Sequence, residues 1–351
     1  MIRRVSLFVV CGAVSLFATG LGHAANEGAF QIADWVGRAH WNQKDKRLDR
    51  CSAQLTNPDK ITMIYSLDRH YMWTFELSSP SWNFPKGAVF DVAFGTGSRS
   101  YFRQRVAALE AQLVRVQLPD PLSAFEAFRR IIRLELVAGG LTSNFDMTFV
   151  NQVLPALTRC VTRNGATTKS RAAVAAWLKS PIGRGAGPGT DPEAQKEAAA
   201  LATSIVSEGQ IAKAASLKPD EIPAGTGGDT VWKFGENLFT ISIMPKNEAP
   251  EIGDLTDLII GGDAQKCRGD FFSGAALDVI ETVGVARAYT TCQTQEATAS
   301  RYYFAIPRKQ GGLYLLTTGA SGVEVTPTGE KDAKDIDGKI RATIMAALSK
   351  M

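Results

Sequence analysis

The sequence predicts an α+β protein: a β-rich, sandwich- or barrel-like N-terminal domain, a helical linker, and a smaller antiparallel α+β C-terminal domain. Three observations predict it. Short runs that alternate apolar and polar residues, bounded by Pro, Gly and Asn, fill the first half. A stretch rich in Gly, Pro, Ala and Ser follows Val161. Strand-like runs then return after Thr230, ahead of a helical pattern at the C-terminal end. A chain of 351 residues suits about two domains. The expected boundaries are 1–24 for a signal peptide, 29–162 for the β-rich domain, 163–229 for the linker with its helix, and 230–351 for the α+β domain.

The leader comes first. Arg3 and Arg4 precede an apolar run from Val5 to Leu21, which ends at the small-residue site Gly22, His23, Ala24. That layout is a secretory signal cut near Ala24, and it predicts a periplasmic address. Gly12, Gly20 and Gly22 weigh against an uncleaved anchor, Cys11 lies too early in the run for lipid attachment, and no later segment is long and apolar enough for a transmembrane helix. Cleavage would remove two arginines and no acid, so the formal charge would fall from +4 to +2. A balance so near neutral gives no electrostatic reason to expect nucleic acid or an anionic membrane as partner.

In the first half, "HYMWTFEL" sets Tyr71, Trp73, Phe75 and Leu77 on one face of a strand and His70, Met72, Thr74 and Glu76 on the other, wet face. Ala88–Phe94, Leu113–Leu118, Leu134–Ala138 and Phe145–Val150 repeat the theme. Asp120 and Pro121 suit the start of a helix that aligns Leu122, Phe125, Phe128 and Ile132. A second helix from about Asn151 turns Val153, Leu154, Leu157 and Val161 inward.

The linker predicts a short helix near Ala172–Leu178. A longer one follows from Pro192 to about Ser207, with Asp191 as cap, Pro192 at the first helical position, and Ala198, Leu201 and Ile205 as its apolar stripe. That helix continues raggedly toward Leu217. In the second half Asn237–Met244, Ala286–Gln293, Arg301–Pro307 and Leu313–Gly319 read as strands, the last two joined in a hairpin across "RKQGG". A C-terminal helix over about Ala333–Leu348 aligns Ile336, Ile340, Ile344 and Leu348.

Loss of the leader would leave Cys51, Cys160, Cys267 and Cys292, an even set in an oxidising compartment. Of three pairings, one bridge within each half is the simplest. None of the four forms a C-x-x-C, so a thioredoxin-like redox role has no support.

The glycines 183, 185, 187 and 189 ahead of the Pro192 helix could suggest a phosphate loop. They lack a G-K-[ST], and Asp191 and Glu193 put carboxylates where an anion would dock, so this stretch reads as a hinge. Only His40 and His70 would remain as histidines, with no H-E-x-x-H and no G-x-S-x-G, and both read as structural, His70 as a solvated cross-strand partner. No metal or cofactor is expected. Asp254 with Asp257, and Asp278 with Glu281, are local acidic pairs without a constellation, and "DAKDIDGK" lacks calcium-loop spacing. Among Trp35, Trp41, Trp73, Trp82 and Phe84, it is Trp82, in "SPSWNFPKG", that reads as a loop residue able to contact a ligand such as a sugar ring.

The segment "DWVGRAHW" leading to Cys51, then "WTFELSSPSWNFPKGAVFDVAF" and a closing apolar helix at Cys160, resembles exported proteins of the invasion-associated locus B type. The resemblance covers about the first half of the mature chain and implies an envelope-associated protein, with no catalytic residues to carry over. With no catalytic constellation in the sequence and two disulfide-stapled modules on a flexible linker, the expected function is non-catalytic binding of a partner protein or envelope component. A carboxylate-based periplasmic hydrolase and a glycan-binding module are the alternatives.

Overall fold

In the computed structural model, which describes residues 28–96, 99–118, 121–138, 141–165, 168–180, 191–211, 213–223, 226–235, 237–280, 283–320 and 343, the strands fall into two antiparallel sheets. The leader (1–24), the glycine-rich stretch (181–190) and the C-terminal helix expected at 333–348 lie outside the described residues, apart from Thr343.

The first sheet has ten strands: β1 (Phe30–Ile32), β2 (Trp35–Trp41), β3 (Leu48–Thr56), β4 (Thr62–Asp68), β5 (Trp73–Ser78), β6 (Val89–Thr96), β7 (Arg99–Glu110), β8 (Leu113–Val116), β9 (Arg133–Ala138) and β10 (Leu141–Asp146). Their order is β1-β2-β3-β4-β5-β8-β7-β6-β9-β10. Five strands meander outward, and the next three run back so that β8 lands beside β5. The last strand returns toward the first hairpins, where Ser143 Oγ donates to Asp59 Oδ2 at 2.8 Å and Asn57 Nδ2 to the Asn144 carbonyl at 3.2 Å. These contacts bring the end strand β10 to the turn between β3 and β4.

Its apolar face is aromatic. The Tyr65 ring stacks on Trp35 and Phe128, each at 5.5 Å, and meets Phe125 edge-on at 5.4 Å. Phe125 and Phe128 come from α1 (Pro121–Phe128), and both are buried. Ile132 does not extend that stripe. The turn after Phe128 tightens to three-residue hydrogen bonds, Arg130 N to Ala127 O and Ile131 N to Phe128 O, which advances the phase by one residue. Ile131 is buried, and Ile132 is 74% exposed.

The expected alternation holds in β5, with Trp73, Phe75 and Leu77 all buried, while Tyr71, also buried, lies in the turn before the strand. Its wet face is drier than expected. Glu76 is also buried, because β8 places Arg115 directly across and its guanidinium donates to Glu76 Oε1 at 2.6 and 3.0 Å. Of the strand expected at Phe145–Val150, only Phe145 and Asp146 belong to one, as the end of β10. Asp146 Oδ1 accepts from Thr148 N at 2.9 Å and Thr148 Oγ1 at 2.5 Å, an Asx turn that ends β10 and starts α2 (Val150–Asn164). The inward residues of α2 are buried as expected, and Cys160 is bonded to Cys51 on β3.

Helices α3 (Thr168–Lys179) and α4 (Pro192–Glu208) follow. Asp191 caps α4 by accepting from Glu193 N at 3.0 Å, with Pro192 in the first turn. Asp191→Ala should therefore lower stability by about 1 kcal/mol in a denaturant titration, and Asp191→Ser should restore most of it. The helix does not run on toward Leu217. Gly209 closes it with a bond to Ile205 O, and Gln210 takes a positive φ of 47°.

The second sheet contains β11 (Ala215–Ser216), β12 (Thr230–Phe234), β13 (Asn237–Met244), β14 (Asp270–Ile280), β15 (Val283–Gln293), β16 (Thr298–Pro307) and β17 (Leu313–Ala320), in the order β11-β12-β13-β17-β16-β15-β14. The "RKQGG" hairpin is present, and Gly311 and Gly312 supply the positive φ values, 89° and 86°, that its turn needs. One face packs Phe239, Ile241, Phe304 and Leu316 under Ala198, Leu201 and Ile205 of α4. The alternate residues Ala305, Leu313 and Leu315 face Leu255, Ile259 and Ile260 of α5 (Ile252–Lys266), which joins β13 to β14. Over α5 lies α3, its Val174 close enough to Gly261 that an added Cβ would meet it at 3.0 Å.

The two sheets meet at β14. The Trp73 indole donates to the Ser273 carbonyl at 2.8 Å, Ala275 N donates to the Tyr71 carbonyl at 2.7 Å, and Arg159 pairs with Asp270 at 2.8 Å. Gly274 permits this approach, since a Cβ there would meet the Trp73 ring at 2.8 Å. Residues of both sheets form one continuous apolar cluster across this seam. The second bridge, Cys267–Cys292, ties the end of α5 to β15. Among the described residues no helix is long and apolar enough to cross a membrane.

Candidate functional site

Chemistry-bearing side chains converge most densely where the β4–β5 turn meets α5. Asp68 ends β4 by folding its carboxylate back, so that Oδ1 accepts from His70 N at 2.8 Å and Met72 N at 2.9 Å. Tyr71, at φ 59°, completes the reversal. The turn presents His70 to α5, and His70 Nδ1 lies 3.0 Å from Asp257 Oδ2. Arg69 Nε donates to His70 Nε2 at 3.0 Å, so Nε2 is an acceptor and Nδ1 carries the proton that Asp257 receives.

His70 is thus not a cross-strand partner. It sits in the turn ahead of β5, and its partner lies on a helix 187 residues away. The Asp257 hydrogen bond holds its pKa above the usual value. Burial pushes the carboxyl pKa of Asp257 up despite His70, and that of Asp68 up despite its two backbone donors. Asp257 Oδ1 is buried without a hydrogen-bond partner among the described residues. Tyr71, whose hydroxyl is 3.4 Å from Thr162 Oγ1 on α2, is pushed up to about 12 by burial. An aspartate-oriented imidazole is the core of a general base, but here Arg69 occupies the nitrogen such a base would use. The arrangement works as a clasp between the sheets.

Three half-buried carboxylates are also taken up in structural contacts. Asp278 accepts from Arg287 Nε at 2.5 Å, and Arg287 is only 2% exposed. Asp263 on α5 receives the hydroxyls of Thr290 at 2.7 Å and Tyr303 at 2.5 Å, and so fixes the helix to its sheet. Glu197 on α4 does the same through Arg308 and Tyr314, each at 2.5 Å. Asp254 and Asp257 part company, Asp254 remaining exposed, and Glu281 lies outside the described residues. Among the described residues no group of three or more His, Cys, Asp or Glu is placed to hold a metal ion.

His40 is bonded through Nε2 to Ser52 Oγ at 2.7 Å, and burial lowers its pKa. Trp82 lies in a loop and is half-buried, its ring 5.6 Å from Phe84, which stacks on Phe90 at 4.6 Å. Trp35 and Trp73 are buried, and Trp41 is 39% exposed.

One surface escapes the sequence patterns. β14 is the edge of its sheet, covered at Ala275 by the β4–β5 turn. Beyond that point Leu277 is 54% and Val279 73% exposed. The outward direction of Ala275 N carries over, by strand alternation, to the backbone groups of Leu277 and Val279. The signal was two aliphatic residues flanking Asp278 on an edge without Lys or Pro, but edge position depends on strand order and not on local pattern.

A scan against protein-family models finds none that matches this chain, and a search of curated proteins finds no match either. The functional reading therefore rests on the geometry.

Proposed function

We propose that this chain is an exported, non-catalytic periplasmic protein that binds a partner protein, using the outer end of β14 to accept a strand. The observation that carries this reading is the apolar edge at Leu277 and Val279, which is exposed and has no further strand beside it among the described residues. Sheet edges are normally blunted by charge, proline or cover, and an uncovered one is a template for strand addition. Export is supported by the leader pattern and by the two disulfides. The resemblance of the first half to the invasion-associated locus B type supports an envelope address. Against the carboxylate hydrolase stands the use of Asp257, Asp263, Asp278 and Glu197 as structural clasps.

A photo-crosslinking residue placed at Val279 in intact cells should give one discrete protein adduct, lost on Leu277→Lys, while the same probe at exposed Val36 should not. Absence of an adduct at Val279 would refute strand addition. Turnover of peptidoglycan or peptide by the purified chain, abolished by changing one carboxylate, would refute the non-catalytic reading. The row Trp82–Phe84–Phe90 supports glycan binding as a second reading. It requires Trp82→Ala to reduce retention on envelope polysaccharide.

A further inference from the structure

We infer that the β4–β5 turn and α5 form an acid-tightened latch that holds the two sheets together. The geometry makes the turn a single mechanical unit. Between Asp68 and Trp73 it supplies the imidazole to Asp257, the Tyr71 carbonyl to Ala275 N and the indole to the Ser273 carbonyl. Displacing the turn from α5 therefore loosens the Ala275 N to Tyr71 carbonyl bond and the Met72–Ala275 bridge that join β14 to the first sheet.

The charges around His70 set the direction. The turn contributes Asp68 and Arg69, and α5 contributes Asp257 with Asp254 beside it. Two carboxylates, Asp257 and Asp68, and one guanidinium act on the ring, so a proton on the imidazole places a cation among an excess of anions. Without it, Asp257 keeps a neutral hydrogen bond, its Oδ1 has no donor among the described residues, and the carboxylates repel one another. Arg69 opposes the effect, because its bond to Nε2 exists only while the ring is neutral.

Linkage gives one sign for all three shifted groups. The raised pKa of His70 contributes stability that is fully present below the ordinary histidine value of about 6.5 and is lost as pH rises through the folded value. Asp68 and Asp257 are raised by burial, so their contribution is likewise present in acid and lost as they ionise. The seam tightens in mild acid and relaxes above neutrality. His70 and Asp257 are partly exposed, at 45% and 31%, so solvent screening keeps the effect modest.

Hydrogen exchange on the full-length chain reads this directly. After correction for the intrinsic rate, protection of the Ala275 amide should fall about threefold between pH 5.5 and 8.5, the size of a partly screened pair, while protection of Ala53 inside the first sheet stays level. His70→Gln, which keeps a donor but cannot titrate, should remove most of that slope above pH 6. A level Ala275 profile in the native chain, or an undiminished slope in His70→Gln, would overturn the latch. Should that variant not fold, the imidazole resonances of the native chain decide: His70 must titrate above the ordinary value and His40 below it, and a His70 at or below the ordinary value overturns the inference.

Discussion

Replacing Cys51 and Cys160 together by alanine is expected to cost about 4 to 5 kcal/mol, much of the stability of an ordinary domain. The bridge spans 109 residues, and loop-closure entropy grows with the logarithm of the loop, so its release returns a large amount of freedom to the unfolded chain. It joins Cys51, fully buried on β3, to Cys160 on α2, and every strand from β4 to β10 lies between them. The Cys267–Cys292 bridge closes only 25 residues, and its removal should cost about 3 to 4 kcal/mol. Denaturant titrations of the two double variants test the ranking. Equal losses, or a smaller loss at Cys51–Cys160, would show that native-state contacts and not chain entropy set the contribution.

What could be read from the sequence was what depends on near neighbours. Trp73, Phe75 and Leu77 alternate because a strand puts every second side chain on one face, and all three are buried. Asp191 and Pro192 mark a helix start because the cap and the missing N–H act within one turn. The pairing of Cys51 with Cys160 followed from division of the chain into halves. The misreadings have equally specific causes. Phe145–Val150 carries a strand-like composition, but the Asp146 side chain competes for the backbone and ends the strand there in a turn that leads into α2. Ile132 fell on the helical stripe until a tightened last turn shifted the phase. The wet face of β5 held Glu76, whose partner Arg115 becomes a neighbour only through the return of β8. For the seam, locality fails altogether: His70 and Asp257, or Trp73 and Ser273, become partners only once two sheets are assembled, and no periodicity records that.

Trp73 is where that assembly is concentrated, and Trp73→Ala is expected to cost about 3 to 5 kcal/mol. The ring is 7% exposed, stacked on Phe125 of α1 at 4.4 Å and tilted against Phe272 of β14 at 5.7 Å. Truncation would remove a large apolar surface from both sheets at once and leave the Ser273 carbonyl without the indole donor. Trp73→Phe would keep most of the packing and lose the hydrogen bond, so about 1 to 2 kcal/mol is expected for it. The more telling consequence concerns cooperativity. The native chain should unfold in one transition, because a continuous apolar cluster joins the sheets. In Trp73→Ala, amide exchange of β3 and β4 and of β15 and β16 should report different unfolding free energies, each sheet keeping its own bridge but sharing less core. Coincident values in that variant would mean that the rest of the seam, Arg159–Asp270 and the Tyr71–Ala275 hydrogen bond among it, couples the sheets without the indole.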